Sequence, residues 1–402
     1  MKSRLPLSVI AASTLIGVQI ALYVFMWFRL LDDPSLRGMD FISFYTAGRI
    51  ARQGNYHQLY DLDTQRTIQV PVVGANTFPG GVNLSQHPPY LAPLLSLLAV
   101  DDFVQSYIFW TLVRLAVTVI CAELIRRFLR RSGWDPLSAW LGTLGSLCFF
   151  PFFLGLLSGQ DTAFILLGLL FWTFGLLEAK EVSAGFGLAL ASLSPTIAGA
   201  LAFPLLAARR KAGLWFLAAM LGLGIYSLLL VGLQGGRDFL GLLGLSSQGQ
   251  GYGLNQPDMY NLLGFLLRNF PGLSANISRS ISWGAFGASI IFLVILWWNK
   301  RYALRVEHIG MAIILSTFTS PHLHIHGLTP LILPALGIMT ILWTQGRKSL
   351  AILFLPLTSM LMLVIALSDS NWDHAFAYLF MAILLIGLAW NLRSAKPIPT
   401  SV

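Results

Sequence analysis

The chain has 402 residues, of which 56% are hydrophobic and only 11% charged, and this excludes a water-soluble globular domain. Its apolar residues come in repeated runs of about 20, the length that crosses the roughly 30 Å hydrocarbon core of a bilayer, so the fold class is an all-α polytopic membrane protein. The formal net charge of +9 does not indicate a nucleic-acid partner, because Lys and Arg gather at the ends of the apolar runs, where cytoplasmic loops carry them.

The first run, Leu5–Phe28, follows Met1-Lys2-Ser3-Arg4, is longer than a signal-peptide core and lacks a small-residue cleavage site. It reads as a retained first span with the N-terminus inside. Next comes the longest polar stretch of the chain, 30–103, in which Asp40 opens the segment Asp40-Phe41-Ile42-Ser43-Phe44-Tyr45-Thr46-Ala47-Gly48-Arg49. Phe41, Phe44, Tyr45, Gly48 and Arg52 share one side of a helix starting there, which predicts a helix lying along the bilayer surface with its aromatics buried. Asp40 falls near the N-cap, where amide donors and the helix dipole favour an ionised carboxylate able to accept a proton. Asn55-Tyr56-His57-Gln58-Leu59-Tyr60-Asp61 and a Gly/Asn/Pro-rich stretch then lead to Gln86-His87-Pro88-Pro89-Tyr90. The following Leu91–Val100 is too short to cross and is expected as a surface or shallow re-entrant helix.

Arg114 lies inside the span near 104–126, where a charge is either functional or structurally paired. Cys121 and Cys148 both sit in apolar runs and indicate neither a disulfide framework nor a thiolate metal site. Basic residues mark inside turns at Arg126, Arg127, Arg130 and Arg131, at Lys180, at Arg209, Arg210 and Lys211, at Lys300, Arg301 and Arg305, at Arg347 and Lys348, and at Arg393 and Lys396. The segments 30–103, 158–161, 233–275, 320–326 and 368–374 are then outside. Lys180 and Arg209 both read as inside although one apolar stretch, 182–208, joins them. Ser192-Leu193-Ser194-Pro195-Thr196 interrupts that stretch, so it is either two short helices meeting at Pro195 or one kinked helix. The two-helix reading gives about twelve spans with both termini inside. The chain 1–402 is then one transmembrane domain with two large outer loops, 30–103 and 233–275; the Gly, Ser and Gln content of the second suggests a mobile loop at an acceptor entrance.

The order Asp-Phe…Phe-Tyr-x-Ala-Gly from Asp40, then Leu59-Tyr60-Asp61, then Pro88-Pro89-Tyr90 before a Leu-rich run resembles glycosyltransferase family 87, polytopic enzymes of the GT-C superfamily. The resemblance continues through Gly159-Gln160-Asp161, the break at Ser194-Pro195 and Ser320-Pro321-His322-Leu323-His324-Ile325-His326. It implies a GT-C-type fold with outer-face juxtamembrane helices, set in the plasma (inner) membrane with its site facing the periplasm or cell exterior. It also implies an inverting transfer of one sugar, mannose or a pentose such as arabinose, from a polyprenyl-phosphate donor to a hydroxyl of a glycolipid or glycan acceptor. Asp40 corresponds to the Asp on which the family relies and would act as general base.

Many relatives place a Lys just before the Pro of the broken pair, where this chain has Ser194. Candidates to contact the leaving phosphate instead are Arg49, Arg52, His322, His324 and His326, although Arg52 equally suits snorkelling to lipid headgroups. His87, Tyr90 and Tyr45 join the substrate-binding candidates. Gln160 suits a sugar hydroxyl or an ordinary helix start. The alternating histidines invite a metal reading, but Pro321 and Gly327 frame a turn and no carboxylate is near in sequence, so neither metal nor cofactor is expected. Asp238 and Asp258 are alternative bases without the aromatic and basic setting of Asp40. The rival readings are a transporter or flippase of lipid-linked glycans, which would spread charges through several spans, and an O-antigen-ligase-like enzyme, whose large outer loop falls late in the chain.

Overall fold

The computed structural model describes residues 6–33, 39–74, 77–78, 82–247, 255–298, 304–368 and 372–394. Among these residues there are helices and connecting segments and no strand. In chain order the helices are α1 (Leu7–Leu31), α2 (Phe41–Arg52), α3 (Leu62–Val73), α4 (Ala92–Leu98), α5 (Phe103–Arg131), α6 (Pro136–Leu147), α7 (Phe150–Ser158) and α8 (Thr162–Leu177). They continue as α9 (Glu181–Leu190), α10 (Pro195–Ala208), α11 (Arg210–Ser247), α12 (Leu262–Asn269), α13 (Ala275–Trp298), α14 (Val306–Thr319), α15 (Ile332–Thr344), α16 (Lys348–Leu367) and α17 (Trp372–Ser394). Seven of these are long and apolar enough to cross a membrane: α1, α5, α11, α13, α15 with the 3-10 turn Ile325–Leu331 before it, α16 and α17. The 25 residues of α1 rise about 37 Å, more than the roughly 30 Å hydrocarbon core. The pair α6–α7, bent by 53°, forms an eighth. Pro151 enters α7 without an N–H to donate, and the carbonyl of Cys148 freed at the bend accepts Tyr23 Oη at 2.9 Å and Ser359 Oγ at 2.6 Å.

The stretch 182–208 is broken, as two helices. Ser194 leaves the helical region (φ −104°, ψ 86°), and α9 and α10 meet there. Their far ends are tied together: Arg209 pairs with Glu181 at 3.4 Å, and the other Glu181 oxygen accepts the Ala212 amide at 3.1 Å. With 14 residues, α10 rises about 21 Å and falls short of the bilayer core, so the two helices form a hairpin whose tip is Ser192–Thr196. Glycines seat this hairpin on α8. A Cβ at Gly187 would lie 2.5 Å from the Trp172 amide nitrogen, and one at Gly175 2.5 Å from that of Ala184. Such close backbone approach is the membrane solution to helix packing where hydrophobic exclusion gives little.

The basic residues collect at the end of the assembly away from that tip. Arg131 and Lys180 both pair with Glu178, Arg130 bonds the carbonyl of Trp134, Trp134 stacks on Trp343, and Lys348 lies over the Trp343 ring. Among the basic residues that orient the chain, Lys2, Arg4, Lys300, Arg301 and Lys396 lie outside the described residues.

The segment 39–103 differs from a surface-lying amphipathic helix. Ten of the twelve residues of α2 are buried, on every side. Gly48 packs against Leu95 and Ala99 by α4, Phe41 and Tyr45 pack on Phe103, and Phe44 faces Trp110 of α5. A further cover comes from 233–247, which composition alone read as a mobile loop. Gly232 (φ 71°, ψ 178°) kinks α11, and the second half remains helical because it buries Leu242 and sets Phe239 against Tyr60. Residues 248–254 of that expected loop lie outside the described residues, and α12 follows.

Substituting Gly187→Val should therefore force α8 and α9 apart at a cost of about 1–3 kcal/mol. Thermal unfolding in detergent should show a lower Tm for that variant and none for Gly199→Ala, whose added Cβ meets nothing within 4 Å.

Candidate active site

Five segments distant in sequence close into a ring at the hairpin-tip end. The residue after Asp40, Phe41, packs onto Gly159 so closely that any side chain there would overlap it. Gly159 also has φ +88°, the left-handed conformation that glycine tolerates, and so ends α7 and turns the chain into Gln160-Asp161. Tyr90 lies within electrostatic reach of Asp161 and places its hydroxyl 3.4 Å from Ser192 Oγ at the hairpin tip. Thr196 Oγ1, on the other arm of the tip, lies 2.8 Å from Ser320 Oγ, where the histidine segment begins. That segment returns to the start: the Asp40 carboxylate is close enough to the His326 imidazole to interact with it electrostatically.

The turn at Gly159 is held from α5. Tyr107 Oη donates to the carbonyl of Leu157 and Trp110 Nε1 to that of Gly159, both at 2.7 Å. The fully buried Arg114 donates to the carbonyls of Leu156 (2.6 Å), Gly155 (3.2 Å) and Gln160 (3.4 Å) and to Thr111 Oγ1 (2.7 Å). Helix α7 ends here inside the protein with unpaired carbonyls, and a guanidinium, with five donors in a plane, satisfies several at once. Of the two readings of Arg114, the structure selects the structural one, with backbone carbonyls as its partners.

Asp40 is at the N-cap of α2, as the sequence implies, but its side chain makes no cap bond. Asp61, Asp102 and Asp135 occupy the same position on α3, α5 and α6, and each accepts an amide at 2.7–3.0 Å. The Asp40 carboxylate is thus left available, while its backbone carbonyl accepts Ser43 Oγ at 2.8 Å. Ser43 Oγ also lies 3.0 Å from His87 Nε2, and the His87 ring stacks on Phe44. Burial pushes His87 down to about 3, so its ring is neutral at physiological pH. Protein around it, and then the neighbouring His324 and His326, hold the His322 ring below the ordinary histidine range. His322 is nonetheless exposed, as is Pro195 at the tip, and Ser194 is half-buried. The rings of His322 and His324 pack edge to face with centroids 4.9 Å apart.

Several expected residues are not brought to this ring. Arg49 pairs with the exposed Asp101, and Tyr45 Oη donates to the Asp101 carbonyl at 3.0 Å. Arg52 reaches the carbonyl of Ser96 at 3.3 Å. Arg49 lies about 13 Å of helix rise from Asp40. Asp238 accepts Gln234 Nε2 on the second half of α11, and Asp258 bonds Asn255. Conversely, the ring includes residues that sequence reading passed over: Ser192, Thr196, Ser320, Asn261, whose amide holds the Ser320 carbonyl at 2.7 Å, and Asp161. Their only signal in the sequence is adjacency to the Ser194-Pro195 break, to the Pro321 turn, and to Gly159.

Fold and ring together define a multi-pass membrane protein with polar side chains from five segments brought together at one end of the helices. The family model of glycosyltransferase family 87 matches residues 86–321, more than half of the chain, and the chain belongs to that family; it is a membrane glycosyltransferase. No curated protein and no solved structure matches it. The matched region includes His87, Tyr90, Gln160, Asp161, Ser194 and Ser320, whereas Asp40 and the three histidines join it through the contacts above.

Asp161 is buried, 6% exposed, and burial, only partly offset by the bond from its own backbone amide and then by Arg114, pushes its carboxyl up to about 7. A carboxyl whose folded pKa exceeds its unfolded value favours folding most at low pH and loses that contribution as pH rises toward the folded value. The Asp161→Asn protein should accordingly unfold at a higher Tm than wild type at pH 8, the gap narrowing by an amount on the order of 1–3 kcal/mol at pH 5. A pH-independent gap in detergent-solubilised protein would contradict this.

Proposed function

We propose that the protein is an inverting glycosyltransferase that moves one sugar, mannose or a pentose such as arabinose, from a polyprenyl-phosphate donor to a hydroxyl of a glycolipid or glycan. Asp40 carries this reading: it is a helix-start carboxylate that caps nothing, beside His326, in a ring with the Gly159 turn and the hairpin tip. The acceptor oxygen bonds to the sugar C1 from the face opposite the phosphate as the C1–O bond to phosphate breaks with its electron pair, and the hydroxyl proton passes to Asp40. Negative charge grows on the departing phosphate and needs donors. On this reading His322, His324 and His326, with the hydroxyls of Ser194, Thr196 and Ser320, take the place of the Lys that Ser194 replaces; Arg49 and Arg52 are occupied elsewhere. Burial holds the His322 and His326 rings below the ordinary histidine range, and an arriving phosphate anion would favour their protonated form. Gln160 faces the sugar, and His87 and Tyr90 brace the ring through Ser43 and Ser192.

The outer face of the plasma (inner) membrane is the side we assign to the ring, because the Arg131–Glu178–Lys180 and Glu181–Arg209 ion pairs mark the opposite end and basic residues favour the inside. About twelve helical segments then lie in the membrane, counting both short arms of the α9–α10 hairpin, with α2, α3 and α4 as outer-face helices. A lipid-linked donor suits this placement. An apolar groove of about 560 Å³ lined by Ile365, Ser368, Trp372, Ala375, Phe376 and Leu379 opens beside Asp373, which accepts Tyr260 Oη, and Tyr260 in turn donates its amide to the Leu323 carbonyl. A prenyl chain in that groove would lie next to the histidine segment.

Sugar transfer by the lipid-reconstituted protein from a panel of polyprenyl-phosphate sugars, run with Asp40→Asn in parallel, tests the reading. The variant should lose about 10²–10⁴-fold in kcat with little change in donor KM, and EDTA should not affect the wild type. A variant that still translocates lipid-linked glycan at the wild-type rate, with no glycosidic bond formed by either protein, would establish the carrier instead.

A further inference from the structure

Five helices of this chain start on an aspartate: α2, α3, α5, α6 and α8. Three of these side chains close their helix with a 2.7–3.0 Å bond to a backbone amide, and all three belong to other parts of the molecule. The two that do not are Asp40 and Asp161, and the chain beside each meets at one place, where Phe41 rests on Gly159. Asp161 is the more deeply buried of the two, at 6% exposure. Among the described residues no side chain donates a hydrogen bond to it. Arg114 is within electrostatic reach, but it spends its donors on backbone carbonyls and Thr111 and makes no ion pair. Its own backbone amide is the hydrogen-bond donor it has, and a buried carboxyl so thinly paired opposes folding. It makes no helix-cap bond that would explain it, so a structural role is left without an interaction to perform it.

We propose that Asp161 is the sugar-recognition carboxyl of this site, holding hydroxyl groups of the donor sugar while Asp40 faces the acceptor. The inference rests on the glycosyl-transfer reading above and adds a specificity-determining residue to it. Sugar hydroxyls are the ligand class that fits. An ionised carboxylate accepts from two of them, and a protonated carboxyl both donates and accepts, so the group bonds a polyol in either state. A phosphate is the wrong ligand for it, since like charge would repel. Its surroundings agree with this assignment: Tyr90 lies within electrostatic reach of it with its hydroxyl at Ser192, and the clasp from Tyr107, Trp110 and Arg114 fixes the turn that carries it. A rigid turn discriminates well between epimers, because a misplaced hydroxyl leaves a buried carboxyl unpaired.

The test uses full-length protein carrying Asp40→Asn, so that bound donor is not consumed, and compares binding of polyprenyl-phosphate mannose, glucose and arabinose with that of sugar-free polyprenyl phosphate. Adding Asp161→Asn should weaken the best-bound sugar roughly 10- to 100-fold, the effect of losing a charged hydrogen-bonding group, and leave sugar-free polyprenyl phosphate unchanged. Asp161→Glu, which keeps the carboxyl but moves it, should retain the fold and change the ranking of the three sugars. Equal weakening of sugar-bearing and sugar-free lipid, or none with either variant, would overturn the assignment while leaving the donor reading intact. If the protein with Asp161 intact binds no sugar-bearing lipid more tightly than the bare phosphate, both the donor reading and this inference fail.

Discussion

A guanidinium with no water around it organises this molecule. Arg114 is fully buried, and among the described residues it donates to the carbonyls of Gly155 and Leu156 in α7, of Gln160 just past it and of Trp110 in its own helix, and to one threonine hydroxyl. A helix that ends inside the protein exposes up to four carbonyls, and in a low-dielectric interior each unpaired one costs several kcal/mol. Arg114 and the ends of α7 therefore need each other. Together with Tyr107 and Trp110 they fix the turn at Gly159, and that turn seats Phe41 on one side and presents Asp161 on the other.

The placement of Asp40 and Asp161 follows from that seat. Most titratable side chains of the molecule are tied up: Arg49 with Asp101, Arg131 and Lys180 with Glu178, Arg209 with Glu181, Arg305 with Glu307. Asp40 and Asp161 escape this because the backbone geometry of their helix starts points their carboxyls away from the amides they would otherwise cap. The hairpin of α9 and α10 brings serine and threonine hydroxyls to the same level, since its break at Ser194-Pro195 frees polar groups that can be tolerated only where they line a recess. A transferase acting on a lipid-borne donor needs that combination of a lipid-facing body and one wet polar end.

The sequence displayed much of this and concealed specific parts. Long apolar runs and the basic residues at their ends announce the spans, because the bilayer imposes one length and one charge bias on every crossing helix. The break at Ser194-Pro195 was legible from two basic turns separated by a single apolar stretch. The helix start at Asp40 was legible from its polar setting. What could not be read were partners fixed only by tertiary contact. Periodicity placed the aromatics of α2 on one face, but α4, α5 and the second half of α11 cover its other sides. The glycines of 233–247 resembled a loop because their helix depends on packing against Tyr60 rather than on propensity. Arg49 and Arg52 looked like phosphate ligands, but Asp101 and Ser96, 52 and 44 residues further along, bond them. The partners of Arg114 were unreadable because they are carbonyls, which no residue letter records.

The central claim is that the ring around Asp40, Asp161, the hairpin tip and the histidine segment is where the donor reacts. A cryo-EM structure of the lipid-reconstituted protein with a non-transferable polyprenyl-phosphate sugar analogue addresses it most directly. The account predicts the anomeric carbon facing Asp40, the sugar against Asp161 and the phosphate against His322–His326 and Thr196. A headgroup bound at the basic end, among Arg131, Glu178 and Arg209, would contradict it.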